Sequence, residues 1–109
     1  MFAFCYHALV NVISKRGLNE LSERQNVDSA TREELENWFR ATRAASWAQL
    51  SDVRTLFPSA DQVGHVVIFN IRHNRYRLIV RAQFARQALY VKALMTHKEY
   101  DRMEWMKWA

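Results

Sequence analysis

At 109 residues the chain has room for one core of ordinary size and not for two. Sixteen Lys and Arg against eleven Asp and Glu give a net charge of +5 and a pI near 9.8, which favours anionic partners such as nucleic acid or an acidic protein segment. A single cysteine, Cys5, excludes an intrachain disulfide and a cysteine-rich zinc site, and it suits a reducing cytoplasm.

In chain order, the opening MFAFCYHALVNVI is apolar but has no basic region ahead of it and soon meets Lys15 and Arg16. It is shorter than the roughly 18 to 20 apolar residues of a spanning helix and lacks the small-residue cleavage site of an export signal. The expectation is a cytoplasmic chain with no membrane partner. Leu18 and Leu21 then recur at helical spacing and predict a short helix from Ser14 to about Arg24, despite Gly17. In DSATREELENWFRATRAA, Leu35, Trp38, Phe39 and Thr42 fall at i, i+3, i+4 and i+7. They make one stripe to bury, while Glu33, Glu34, Glu36 and Arg40 stay in water and Asp28 or Ser29 caps the start. Ser46 and Gln49 are spaced as a capping box for a third, short helix that docks Trp47, Leu50, Val53 and Leu56 and ends near Pro58. Trp38 and Trp47 are assigned to the core, because tryptophans on such stripes usually pack.

Beyond PSADQVG the period changes from helical to alternating. Residues 66–71, 76–84 and 89–95 are rich in β-branched and aromatic side chains, separated by RHNR and ARQA, and predict an antiparallel meander. Helices followed by strands predict an α+β domain with the helices on one sheet face. Alternation puts Tyr76, Leu78, Val80, Ala82 and Phe84 on the core side of the middle strand. Arg75, Arg77, Ile79, Arg81 and Gln83 fall on an open side, joined there by Tyr90, Lys92 and Leu94 of the next strand if pairing is regular. Such a face suits phosphate contacts and base stacking; a solvated sheet face kept soluble by arginine is the competing explanation. No phosphate loop, nucleotide-binding glycine pattern, zinc-helix signature or paired-carboxylate signature is present.

From about Val12 to Tyr100 the ordered segments VISKRGL, SWAQLSDVRTLFPSADQVG, VVIFNIRHNRYRLIVR and ALMTHKEYD resemble the HigB-type toxins of bacterial type II toxin–antitoxin modules, within the RelE-like group of small endoribonucleases. The resemblance implies N-terminal helices packed on a mainly antiparallel twisted sheet, a RelE-like microbial ribonuclease architecture that an earlier strand around 10–13 joins. Residues 1–109 then form one domain, with 1–11 a candidate N-terminal extension or the product of an upstream start codon, and 102–109 a short tail. This chain departs from the family at the hairpin turn, where Arg72 and His73 precede Asn74 and glycine is usual.

The resemblance further implies a toxin that cleaves messenger RNA on the translating ribosome, without metal or other cofactor, and is silenced by a small HigA-type helix-turn-helix antitoxin. The chemistry would be attack of a ribose 2′-hydroxyl on the adjacent phosphate. That reaction needs a proton acceptor, positive charge on the phosphate oxygens, and an acid or cation at the leaving oxygen. Arg77 matches the mid-strand arginine of the group and suits phosphate stabilisation. His97 follows the last strand, where the group carries proton-transferring residues, and Tyr100 offers a phenol three residues on. Glu99 and Asp101 orient His97 or repel substrate, a choice the sequence leaves open. Arg72, Arg75, Arg81, Lys92 and Lys98 are assigned to RNA positioning. For each catalytic candidate a plainer role competes: His97 as the first residue of a helix with Thr96 as N-cap and Glu99 at N3, Tyr100 as the edge of a core, Arg77 as a solvated strand residue. His73 lies in the turn and is not assigned as a base; His7 and His65 have no metal-site pattern. The alternative function is a catalytically weak or inactive RNA-binding or antitoxin-binding module with the same fold.

Overall fold

A computed structural model describes residues 11–13 and 15–109, with side chains from Gly17 onward. The apolar segment 1–10, with Cys5 and His7, and the expected helix start at Ser14 lie outside the described residues. Strand β1 (Asn11–Ile13) leads into helices α1 (Lys15–Gln25), α2 (Ser29–Arg43) and α3 (Leu50–Leu56). The sheet is completed by β2 (Asp61–Val63), β3 (Val66–Ile71), β4 (Tyr76–Gln83) and β5 (Ala88–Thr96) in the order β1-β5-β4-β3-β2. Among the described residues only the β1–β5 pairing is parallel. The α+β class, the helices on one sheet face and the meander of β3, β4 and β5 are as the sequence predicts. No helix among the described residues is long and apolar enough to cross a membrane.

Helix α2 forms where its stripe requires. Asp28 is the N-cap and accepts a hydrogen bond from the Thr31 N–H at 2.8 Å, while Leu35, Trp38 and Thr42 are buried. Trp38, Trp47 and Phe57 converge on Phe69 of β3, at centroid distances of 5.3, 6.4 and 5.3 Å. Helix α3 departs from expectation. The Ser46–Gln49 capping box is not made: Gln49 is the N-cap without a side-chain bond, and Asp52 accepts from the Ala48 N–H at 2.8 Å instead. Gln87 explains the difference, because its carboxamide accepts from the Trp47 N–H at 2.8 Å and donates to the Trp47 carbonyl, fixing the approach to the helix from outside. Leu56, expected to dock, is 49% exposed.

The β3–β4 hairpin closes through Arg72, His73 and Asn74, all with left-handed backbone (φ 56°, 52° and 75°). Arg and His in that region carry strain of about 1–2 kcal/mol per residue, which the expected glycine would not. The turn is anchored on α2 by a hydrogen bond from the Arg72 N–H to Glu34 Oε2 at 3.0 Å.

Two assignments of sheet face are corrected. Between Ile79 and Val80 the β4–β5 register slips, Ile79 facing Ala93 and Val80 facing Val91, so Lys92 is an extra residue in a β-bulge. Past the bulge the alternation inverts, and Leu94 opposes Leu78 in the helix-side core rather than joining the arginines. Ile79 is not open to solvent. Residues 101–109 fold back across the second face, and Trp105, 1% exposed, closes a second core with Val66, Ile68 and Ile79. Gly64 (φ 58°) joins β2 to β3, and a Cβ there would lie 2.8 Å from the Ala109 carbonyl carbon, so its bare backbone admits the returning chain.

Candidate functional site

The uncovered part of the second face begins where Trp105 ends. On β4, Arg77 points to this side and stands opposite Met95 of β5, so the chain leaving β5 at Thr96 enters helix α4 (His97–Tyr100) directly beside it. Helix α4 starts there because Thr96 and Glu99 make a capping box: Thr96 Oγ1 accepts from the Glu99 N–H at 3.2 Å, and Glu99 Oε1 accepts from the Thr96 N–H at 2.9 Å. Gln25 of α1 holds the box from behind, donating through Nε2 to Glu99 Oε1 at 2.7 Å and to the Leu94 carbonyl at 2.8 Å. The bonds from Thr96 and Gln25 hold the Glu99 carboxyl below its ordinary pKa. Glu99 is therefore an ionised cap and no proton acceptor.

The three residues assigned to catalysis from the sequence come together. Arg77 Nη2 lies 3.4 Å from His97 Nδ1, and its Cζ lies 5.4 Å from the centroid of the Tyr100 ring, over its face. Nη1 donates to the Asn74 carbonyl at 2.9 Å, which ties the guanidinium to the hairpin turn. With five N–H groups, Arg77 keeps donors for an anion after both contacts. Because arginine only donates, a hydrogen bond across this contact requires the tautomer with a lone pair on Nδ1. Nε2 in turn faces Asp101 Oδ2 at 3.6 Å. Asp101 thus lies within ion-pair distance of the His97 ring, and the His97 side chain remains 62% exposed.

Tyr100 stacks on Trp105, 5.0 Å between centroids and 8° from parallel, while Trp105 Nε1 donates to the Tyr100 carbonyl at 3.1 Å. Burial raises the phenol pKa above its ordinary value and outweighs the opposing pull of Arg77. The phenol stays neutral at neutral pH, a hydrogen-bond donor rather than a base. Among the described residues no cluster of three or more His, Cys, Asp and Glu is placed to hold a metal ion.

The residues assigned to RNA positioning are more scattered. Lys98 is exposed on α4 next to His97. Arg75 lies 3.9 Å from Asp28, whose carboxyl pKa is lowered first by hydrogen bonds from Thr31 and further by Arg72 and Arg75, so the charge of both arginines is partly offset. Arg81 and Lys92 lie elsewhere on the sheet. Arg81 is four residues along β4 from Arg77 with the covered Ile79 between them, and the Lys92 ammonium sits 6.0 Å above the Tyr90 ring. Sequence reasoning missed Trp105, Asn74 and Gln25, which support the cluster from the tail, the turn and a helix 69 residues before Leu94. Of these, Trp105 left a signal, as one of two tryptophans in the last nine residues.

Helices on one face of a largely antiparallel sheet, with an arginine, an imidazole and a phenol gathered at one end of the other face, define a small basic α+β domain of RelE-like architecture. The chain belongs to the HigB_toxin family, described as the RelE-like toxic component of a toxin-antitoxin system, whose model matches residues 31–103. It is similar to the mRNA interferase toxin HigB of Escherichia coli (strain K12), 35% identical over 52 residues that cover 45% of this chain and 50% of the relative. The mRNA interferase HigB of Shigella flexneri matches to the same extent. That of Escherichia coli O6:H1 is 23% identical over 97 residues, covering 86% of this chain and 91% of the relative. The chain spans about half the length of the first two of these curated relatives.

Proposed function

We propose that this chain is an mRNA interferase, the toxin of a type II toxin–antitoxin module, which cleaves messenger RNA on the translating ribosome without a metal. The observation that carries the reading is the convergence of Arg77, His97 and Tyr100 on one exposed spot. A phosphate entering there takes up the free donors of Arg77 and draws Nη2 away from His97. The Nδ1 lone pair is then available for the proton of a ribose 2′-hydroxyl. The 2′ oxygen bonds to phosphorus as the bond to the 5′ oxygen breaks, and Arg77 and the neutral Tyr100 phenol hold the charge that builds on the phosphate oxygens. The leaving oxygen takes a proton from solvent, which reaches this open site. The products are a 2′,3′-cyclic phosphate and a 5′-hydroxyl.

A small HigA-type antitoxin is the proposed partner, its acidic segment placed over the exposed cations of α4 and the hairpin. The direct test is to incubate the purified chain with translating ribosomes and map the ends of the messenger. Cyclic-phosphate ends that vanish in Arg77→Ala are the expected result. Tight RNA or antitoxin binding with no cleavage by the parent chain would establish the binding-module alternative instead.

A further inference from the structure

The other uncovered part of the second face, at the Arg81 end of β4, holds a cleft of about 430 Å³ between the β2–β3 turn and the 3₁₀ turn Phe84–Arg86. Gln62, His65, Arg81, Gln83, Phe84 and Arg86 contribute to its lining, which contains two guanidinium groups and an imidazole and no carboxylate. Arg81 Nε is shielded from solvent and has no hydrogen-bond partner among the described residues. Buried donors are almost always paired, so the guanidinium of Arg81, which lines this basic cleft, has hydrogen-bonding capacity that the described residues leave unused. Tyr90 pairs with Arg81 across the strands and is only partly buried, with the Lys92 ammonium 6.0 Å from its ring centroid, so an aromatic ring and a further cation lie next to Arg81 along the sheet.

We propose that this cleft is a second anion subsite, which takes a flanking phosphate of the same single-stranded RNA whose reacting phosphate lies at Arg77. The inference rests on the RNA-cleaving reading above and extends it to the path of the strand. Arg77 and Arg81 are about 13 Å apart, four residues at ~3.3 Å each along β4. That span is about four stacked nucleotide steps at ~3.4 Å each, and fewer for an extended strand. Between the two subsites the strand crosses the ridge that Trp105 builds over Ile79. The fork of Arg81 supplies paired donors for phosphate oxygens, and Arg86 adds a mobile charge at the rim.

The test measures binding of two uncleavable 2′-O-methyl RNAs, a twelve-nucleotide and a three-nucleotide strand, over a range of salt. Arg81→Gln combined with Arg86→Gln should weaken the longer strand about tenfold and lower the slope of log affinity against log salt by about one to two, one per lost phosphate contact. The loss should be confined to the longer strand, and Arg81→Lys with native Arg86 should restore most of it. Should the double variant fail to fold, the parent chain answers alone: the Arg81 Nε–H resonance shifts on adding the twelve-mer and not the three-mer. Parent-like affinity and slope in a folded double variant, with binding still weakened by Arg77→Ala, would overturn the subsite and leave the RNA reading standing. Absence of RNA binding by the parent would overturn both. Loss of antitoxin binding with RNA binding intact would make the cleft a protein-docking site and overturn the subsite.

Discussion

The two faces of the sheet are closed in different ways. One lies under three helices, whose side chains meet around Phe69 in an aromatic cluster with Trp38, Trp47 and Phe57. The other is closed by the last nine residues, with Trp105 as the only side chain there that is fully buried. A helical layer hides everything beneath it, whereas this short cover hides the middle of the face and, among the described residues, leaves both ends free. Arg77, His97 and Tyr100 sit at one end and the Arg81 cleft at the other. On the proposed reading, stability and function are separable on the helix side and joined at the tail.

Replacing one tryptophan on each side tests that contrast with the largest effects on stability. Trp38→Ala and Trp105→Ala each remove a buried indole and should each cost about 3–5 kcal/mol, read by denaturant unfolding. At a temperature where both variants stay folded, Trp38→Ala should cleave near the parent rate. Trp105→Ala should not, because Tyr100 loses the surface it stacks on. Equal activity in the two would break the comparison. Next in size, Tyr100→Phe keeps the stack and removes the donor, and should lower single-turnover cleavage by about 10² with little change in stability.

A smaller effect should appear in acid. Hydrogen bonds from Thr96 and Gln25 depress the folded pKa of Glu99, so the stability it contributes is present above the ordinary value of 4.5 and is lost as pH falls through the lower folded value. Amide signals of α4 should loosen across that window and lose the dependence in Glu99→Gln, while signals of α2 near Leu35 hold. The smallest effect belongs to Leu56, which lies outside both cores. Leu56→Lys should change stability by no more than about 0.5 kcal/mol.

Much of the helix-side face was legible because local period and burial agree there. Leu35, Trp38 and Thr42 follow the 3.6-residue repeat, and Leu78, Val80 and Ala82 follow the two-residue one. What the sequence hid depends on contacts between distant segments. The bulge at Lys92 inverts the facing of Leu94 without a local mark, β2 is too short at three residues to show a period, and Gln87 overrides a plausible cap at Ser46 by holding Trp47 from 40 residues away. The covering of Ile79 was hidden for the same reason, since Trp105 sits in a short mixed run of charged and apolar residues with no repeat. For the site, the resemblance to a family supplied Arg77, His97 and Tyr100 as candidates. Their meeting follows from the pairing of Arg77 with Met95 and the capping box that turns the chain at Thr96. Neither could be counted off along the chain, although Thr96 and Glu99 were legible as a helix start.

On the proposed reading the cluster at the end of β4 takes a proton from the ribose 2′-hydroxyl of RNA, with His97 as the acceptor. Single-turnover cleavage of ribosome-bound messenger by parent and His97→Gln, with RNA affinity and thermal unfolding measured on the same samples, tests it most directly. A fall of about 10² to 10⁴ in rate, with affinity and unfolding close to the parent, is the predicted result. Cleavage at the parent rate by a normally folded His97→Gln would contradict the account.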